Sequence, residues 1–159
     1  MMTGNPSETV FVVGDHLVLV AIDGQDAPTS LEVTLHLDGR RVRSFEEVGW
    51  RVPRYGVADL TFYWWSARRV VSVPLGAPTE IDQVEADEDI IFVFRRPGGW
   101  LLVCETSLRL VLGGQEVARL EYPDVLIEAY VEGDQVVLRD ASGSTRRAAV
   151  KSRGLSPVA

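Results

Sequence analysis

Apolar and polar residues alternate along SLEVTLHLDGRRVRSF, the stretch from Ser30 to Phe45. Leucine or valine occupies every second position, which is the pattern of a strand with one buried face and one wet face. Asp38-Gly39 then supplies the positive backbone φ that a two-residue hairpin turn requires. Val42 and Phe45 continue the apolar pattern on the return strand. The sequence therefore predicts a β-hairpin whose first strand directs Leu31, Val33, Leu35 and Leu37 to the core.

Glycine-containing turns also separate short apolar runs elsewhere in the chain. About ten or more short strands result, at the spacing expected of an all-β antiparallel protein. The favoured architecture is a hairpin-rich sandwich or barrel. One or two short helical turns are expected as well, one after Ser44 and one over residues 79–85, because both stretches have capping signals. The turns that mark the strand ends are Gly14-Asp15, Pro97-Gly98-Gly99, Gly113-Gly114, Gly133-Asp134 and Ala141-Ser142-Gly143.

A faint internal repeat offers a second architecture. VGDHLVLVAIDG, from Val13 to Gly24, aligns with EGDQVVLRDASG, from Glu132 to Gly143, and GGWLLVCET at 98–106 resembles the first half of both. The cadence is similar to that of β-propeller blades, which have four short strands, and propellers use roughly four to eight blades. At most about three such units are visible. The alternative prediction is therefore a set of propeller-like blades completed by oligomerisation.

Length and composition favour one ordinary globular domain. The 159 residues suffice for a sizeable core. A single all-β domain is expected over residues 9–150, with a disordered N-terminus at 1–8 and a frayed tail at 151–159. No leader sequence or long apolar run is visible, and the single Cys104 forbids an internal disulfide. These features indicate a cytoplasmic protein.

The net charge of −7 argues against nucleic acid and anionic membranes as partners. No zinc-site spacing joins the two histidines and Cys104. Glu85, Asp87 and Asp89 resemble the start of a calcium loop, but the stretch lacks a glycine for the turn and reads more simply as a solvated acidic loop. Nucleophile elbows and phosphate loops are absent from the sequence, so no cofactor is predicted.

The aromatic run in ADLTFYWWSARRVV, residues 58–71, carries the main functional question. On a strand, Leu60, Phe62 and Trp64 share one face, which reads as core, while Tyr63 and Trp65 share the other. Large amphipathic rings are common in contact patches, but a second sheet or the preceding connection could equally cover them. The candidate binding face consists of Tyr63, Trp65, Arg68 and Arg69, joined by Trp50, Arg54 and Tyr55 from the GWRVPRYG connection.

Three functions compete on this basis. The leading hypothesis is a non-catalytic binding or assembly module that uses the aromatic/arginine face, with another protein or a second copy as partner. The first alternative is a barrel or sandwich that binds a small molecule in a cavity lined by Trp100, Trp64 and Tyr63. The second is a small carboxylate-dependent enzyme that uses Asp59 with Arg68. Enzymatic activity stays open, although the lack of an assembled motif favours a non-catalytic chain.

Overall fold

Antiparallel β-sheet makes up the regular structure of the chain. A computed structural model describes residues 7–23, 30–48 and 54–159. Within these residues the regular secondary structure consists of strands, with no helix. These strands form four sheets of four strands each, and in every sheet the strands follow one another in chain order. The prediction of an all-β antiparallel fold is confirmed. By contacts, the chain divides into a first unit, Met1–Val84, and a second unit, Glu85–Ala159.

The first unit contains two meander sheets. In each of them, every strand is hydrogen-bonded to the strand that follows it in the chain. The first sheet comprises β1 (Ser7–Val13), β2 (His16–Asp23), β3 (Ser30–Leu37) and β4 (Arg40–Val48), and the second comprises β5 (Arg54–Ala58), β6 (Thr61–Trp65), β7 (Arg69–Pro74) and β8 (Asp82–Glu85).

The second unit repeats this arrangement. Its sheets are again antiparallel meanders, with bulges at single points in β10, β11 and β13. The third sheet comprises β9 (Ile90–Arg96), β10 (Gly99–Cys104), β11 (Ser107–Leu112) and β12 (Gln115–Glu121), and the fourth comprises β13 (Leu126–Glu132), β14 (Gln135–Asp140), β15 (Thr145–Val150) and β16 (Leu155–Val158).

The hairpin between β3 and β4 has the predicted geometry. Asp38 and Gly39 have φ values of 50° and 79°, as a turn with two positive φ angles requires. Val33 and Leu35 are buried, and Val33 lies directly opposite Phe45, which is buried as well. The apolar alternation thus decides which face of the sheet enters the core. The five glycine-containing turns noted in the sequence also separate consecutive strands.

Each unit has its own core between two sheets that pack face to face. In the first unit, Val18, Val20 and Val33 of the first sheet share a buried cluster with Phe62 and Trp64 of the second. In the second unit, residues of the third sheet cluster with residues of the fourth, and the members of this core are Leu101, Val103, Leu108, Leu110, Leu126, Val136, Leu138, Ala148 and Val150.

The internal repeat corresponds to the four-sheet plan. Its segments contain β2, β10 and β14, each the second strand of its sheet. The chain described by the structure has four such sheets rather than the three units expected. The second sheet does not show the repeat in its sequence, because its first turn consists of Asp59 and Leu60. These residues have φ values of 50° and 55°, whereas the other sheets have glycine in this turn. The architecture therefore fits the propeller-like alternative better than a sandwich or barrel.

The expected helical turns are wrong. Ser44 lies within β4, where its hydroxyl bonds to Thr34 and Arg41 instead of capping a helix, and residues 82–85 form β8. At the C-terminal end, Leu155–Val158 form β16, in which Pro157 is compatible with an edge strand. The single domain over residues 9–150 and the unstructured ends stay predictions; of residues 1–8, Ser7 and Glu8 are described, both in β1.

Candidate protein-binding surface

The aromatic run divides between the core and a second face of β6. Phe62 and Trp64 are fully buried in the first unit's core, as predicted, with the Trp64 ring 4.7 Å from that of Phe45. The prediction for Leu60 is wrong. It lies in the β5–β6 turn with a positive φ, and 62% of its surface is exposed. The strand begins one residue later, at Thr61.

The second face of β6 is only partly open. Tyr63 lies directly opposite Gly56 on β5, and its phenol end occupies the space that a side chain at Gly56 would need. Only 9% of Tyr63 is exposed, and burial raises the pKa of its phenol. The Trp65 ring stacks on that of Tyr63 at 6.1 Å and is half-buried. The accessible aromatic surface is therefore that of Trp65, with Tyr63 as its support.

Three arginines lie at the same end of the second sheet as Trp65, two of them exposed and one, Arg69, directed to the opposite face because its neighbour Val70 pairs with Trp65. Arg54 is exposed and lies directly opposite Trp65 across the β5–β6 pair. Arg68 is exposed in the β6–β7 turn, and Arg69 begins β7. The Arg69 guanidinium donates to the Glu46 carbonyl oxygen at 2.8 Å, so its position is fixed by the first sheet. We call Arg54, Trp65, Arg68 and Arg69 the arginine–tryptophan end.

Two candidates from the GWRVPRYG connection behave differently. Trp50 lies outside the described residues. Tyr55 points to the opposite side of β5 from Arg54, because side chains alternate along a strand. Its ring stacks on Phe62 at 6.0 Å, and burial raises the pKa of its phenol to about 12. Tyr55 is therefore half-buried and packs against the first unit's core, on the opposite side of β5 from Arg54.

The acidic run of residues 85–89 has a structural role that the sequence did not indicate. The Glu88 carboxylate accepts hydrogen bonds from the Thr106 amide, the hydroxyls of Thr106 and Ser107, and the Arg109 guanidinium. Arg109 is only 4% exposed and pairs with Asp87 at 2.5 Å and Glu88 at 2.7 Å. This set ties the loop before β9 to β11. The available signal was a lone arginine in the apolar run SLRLVL.

This ion-pair network bears on the calcium hypothesis. Among the described residues, no group of three or more His, Cys, Asp or Glu side chains is placed to hold a metal. Asp87 instead lies against the guanidinium groups of Arg109 and Arg119. A carboxylate already neutralised by two cations is a poor calcium ligand, since calcium sites gain affinity from unneutralised ligand charge. The geometry thus gives Glu85, Asp87 and Asp89 no shared metal site.

The other proposed chemistries are not assembled either. Asp59 and Arg68 lie at opposite ends of β6, about 17 Å apart for a five-residue strand. Tyr63 and Trp64 are consecutive on that strand and face opposite ways, so they cannot line one cavity. Cys104 is fully buried, and burial raises the pKa of its thiol to about 12, which leaves it protonated and unreactive.

Clefts do occur in the second unit. One of about 440 Å³ is lined by Tyr122, Thr145, Arg146 and the end of β16, and one of about 220 Å³ lies over β13 and β14. Neither includes an aromatic residue of the predicted ligand cavity. Within the part of the chain that the structure describes, no helix is long and apolar enough to cross a membrane.

Comparison with known proteins identifies the fold and no family. No family model matches the sequence, and no curated protein is significantly similar to it. Solved structures do match. The designed protein Ika8 has a TM-score of 0.64 at 11% identity, with 94% of this chain and 48% of Ika8 covered. The designed protein Ika4 has a TM-score of 0.61 at 11% identity, with 91% of this chain and 92% of Ika4 covered.

Natural propeller-like structures are similar as well. BamB from Moraxella catarrhalis has a TM-score of 0.55 at 13% identity, with 87% of this chain and 41% of BamB covered. BBS1N has a TM-score of 0.59 at 9% identity, with 91% of this chain and 47% of BBS1N covered. The chain therefore spans about half the length of Ika8, BamB and BBS1N. At these identities the likeness establishes an all-β fold of four-stranded, propeller-like sheets.

Proposed function

We propose that the chain is a non-catalytic protein-binding module and that the arginine–tryptophan end of the second sheet contacts an acidic segment of its partner. The observation that carries the proposal is the register of β5 and β6, which places the exposed Arg54 directly opposite the half-exposed Trp65, with the exposed Arg68 in the turn that follows. Tryptophan and arginine are the side chains most enriched at the energetic centres of protein interfaces.

The position of each group suits an extended acidic peptide. Trp65 offers a flat apolar surface, and its stacking on Tyr63 holds the ring in place before binding. Such rigidity lowers the entropy lost on association. Arg54 lies on β5, and Arg68 lies in the β6–β7 turn. A guanidinium group can hold a carboxylate through two parallel hydrogen bonds, in addition to its existing contacts or in exchange for them.

Charge also selects the partner. The chain carries −7 overall, so a local group of three arginines is a positive region on an acidic protein. The negative net charge of the chain repels an acidic ligand at long range. We therefore expect the association rate constant to be modest and to depend on the salt concentration. A similar fold can carry a protein-binding surface, since BBS1N was solved in complex with ARL6DN.

Binding of defined peptides tests the proposal. Fluorescence anisotropy measures the binding of three ten-residue peptides to the chain. The first alternates Glu and Leu, the second has Gln in place of every Glu, and the third has Lys in place of every Glu. Arg68→Glu and Arg54→Glu are each expected to weaken binding of the acidic peptide at least tenfold, about 1.4 kcal/mol, because each replaces an attraction with a repulsion. Trp65→Ser is expected to weaken both acidic and all-Gln peptides.

Arg40→Glu provides the matched control. Arg40 is exposed in the same unit and carries the same charge, but it begins β4, whereas the Glu46 carbonyl that Arg69 contacts lies near the other end of that strand. The proposal predicts that this variant binds the acidic peptide within about twofold of the unmodified chain. Equal losses for Arg40→Glu and Arg68→Glu would mean that only net charge matters, and absence of acidic-peptide binding would contradict the proposal altogether.

A further inference from the structure

The exposed apolar side chains of the second unit are concentrated on one edge strand. Among the described strands, β13 is hydrogen-bonded on one side only, to β14. Tyr130 is 56% exposed on one face of β13, and Val131 is 43% exposed on the other. The large hydrophobic side chains that are exposed among the described residues of this unit are Val125, Ile127, Tyr130 and Val131. An apolar edge strand of this kind is a place where another strand can pair.

The other edge strands of the second unit are better protected. The side chains of β9 are all buried or half-buried. Those of β12 that are exposed are polar, and β16 contains Pro157, whose nitrogen cannot donate a hydrogen bond. β13 has neither proline nor lysine, and its one bulge lies at its start, between Leu126 and Glu128. The edge of β13 is therefore regular from Glu128 onward.

The backbone of β13 directs hydrogen-bonding groups outward at Ala129 and Val131. A two-residue turn follows Glu132, so Glu132 forms a hydrogen-bonded pair with its partner on β14. Hydrogen-bonded and non-hydrogen-bonded pairs alternate along an antiparallel ladder. Counted back from Glu132, both Val131 and Ala129 belong to non-hydrogen-bonded pairs. Their N–H and C=O groups thus point away from β14, along the edge of the sheet.

The glutamates of β13 are drawn away from this edge. Glu128 pairs with Arg139 at 3.5 Å, and Glu132 pairs with Arg147 at 2.6 Å. The two arginines belong to β14 and β15, so the carboxylates lean across the face of the sheet and their charge is neutralised there. Charged side chains protect an edge by repelling an incoming strand. That repulsion is weakened in β13.

We propose that β13 pairs with the same strand of a second copy of this chain. The two strands run antiparallel about a twofold axis at Ala129, so that the Ala129 residues of the two copies form a hydrogen-bonded pair. Glu128 then lies opposite Tyr130 of the other copy, and Val131 lies opposite Ile127 of the other copy. The exposed apolar side chains of each strand cover those of the other. The two fourth sheets join into one sheet of eight strands, four from each copy.

Charge favours this register over its neighbours and favours a second copy as the occupant. A twofold axis at Glu128 places this residue opposite itself, and an axis at Tyr130 places Glu128 opposite Glu132. Like charges in directly opposed positions destabilise an antiparallel pair. With the axis at Ala129, Glu128 lies opposite an aromatic ring instead. The strand is therefore complementary to itself, both in its outward N–H and C=O groups and in its side chains.

Sedimentation equilibrium tests the pairing. At about 100 µM, a concentration suited to a contact smaller than a standard interface, the chain is expected at twice its mass of 17.6 kDa. Ala129→Pro removes an N–H that points away from β14, so the variant is expected to keep the fold, checked by circular dichroism, and to lose the double mass. Val131→Lys is also expected to sediment as single chains, because it places a lysine on the edge.

Val12→Lys is the matched control. Val12 is an exposed valine of another edge strand, β1, and the variant is expected to keep the double mass. An unmodified chain at 17.6 kDa overturns the proposal. So does a double mass in Ala129→Pro, or a loss of the double mass in Val12→Lys. The edge shares no residue with the arginine–tryptophan end, so acidic-peptide binding by Ala129→Pro should be unchanged and the two proposals fail independently.

Disulfide formation tests the register. Glu128→Cys chains and Tyr130→Cys chains are mixed and oxidised, because the two positions form a non-hydrogen-bonded pair across the axis, with Cα atoms about 4.5 Å apart. The mixture is expected to give a covalent dimer on a non-reducing gel, and neither variant alone does so. Cys104 is buried and does not take part. No covalent dimer from the mixture, or a covalent dimer from Tyr130→Cys alone, would overturn the proposed pairing.

Discussion

The phenol end of Tyr63 lies across Gly56, its direct partner on the neighbouring strand. An edge strand that carries glycine has a gap in its surface, and an aromatic ring from the next strand closes that gap. Tyr63 in turn supports Trp65 by stacking. A glycine on β5 therefore determines where the exposed indole of the arginine–tryptophan end is held.

Gly56→Ala is expected to destabilise the first unit. The added methyl group occupies the position of the Tyr63 phenol, and overpacking of this kind costs about 1–3 kcal/mol. Urea unfolding followed by tryptophan fluorescence measures the change, and acidic-peptide affinity is expected to fall with it because Trp65 loses its support. Gly76→Ala is the control, since nothing lies within 4 Å of the added atom there. Equal free energies of unfolding for the two variants would refute the relationship.

Leu60→Gly is expected to stabilise the first unit by about 1 kcal/mol. Leu60 has a φ of 55° in the β5–β6 turn, and this left-handed conformation costs a residue with a Cβ about 1–2 kcal/mol relative to glycine. Little burial is lost, because the side chain is 62% exposed. Leu60→Ala keeps the Cβ and the strain, so it should bring no gain. The free energy of unfolding in urea decides, and a destabilised Leu60→Gly variant would contradict the backbone explanation.

Arg109→Met is expected to destabilise the second unit by about 3–5 kcal/mol. The substitution strands the Glu88 carboxylate in a mostly buried position without its cation. Amide hydrogen exchange in β10 and β11 reports the loss within that unit. Arg139→Met removes an exposed partner of Glu128 and should cost only about 0–1 kcal/mol. Adding Glu88→Gln to Arg109→Met should recover part of the loss, and no recovery would argue against a stranded charge.

Acid is expected to destabilise the second unit through Glu88. Burial raises the pKa of this carboxyl, but hydrogen bonds from Thr106, Ser107 and Arg109 outweigh it and hold the pKa below the ordinary value of 4.5. The folded state thus binds the proton more weakly than the unfolded state, so stability is full above pH 4.5 and falls as the pH drops below it. Unfolding free energies between pH 7 and pH 3 measure this slope. Glu88→Gln should flatten it, and an unchanged slope would exclude Glu88 as a cause.

Hairpins with glycine turns could be predicted from the sequence because glycine marks the positive φ angles directly. Gly14, Gly113 and Gly133 each end one strand and precede the next, and the sheets they belong to were visible as a repeat. The second sheet was not, since Asp59 and Leu60 adopt the same turn without glycine. The repeat in the second sheet was therefore not visible, because Leu60 adopts a locally unfavourable backbone conformation that the surrounding strands hold in place.

The candidate site could be predicted only as a set of residues on one strand. Alternation separated Phe62 and Trp64 from Tyr63 and Trp65 correctly. Which residues of β5 lie beside them depends on the register of the β5–β6 pair, which brings Arg54 to Trp65 and Gly56 to Tyr63. Register is a long-range property of the turn and the core, so periodicity within a single strand cannot supply it.

A map of backbone amide chemical shifts on addition of the acidic Glu/Leu peptide tests the proposed function most directly. The predicted result is a saturable change confined to the arginine–tryptophan end, at Arg54, Trp65, Arg68 and Arg69, with β14 and β15 unmoved. A saturable change centred on the second unit, or no change at all, would contradict the claim that this end of the second sheet is the binding surface.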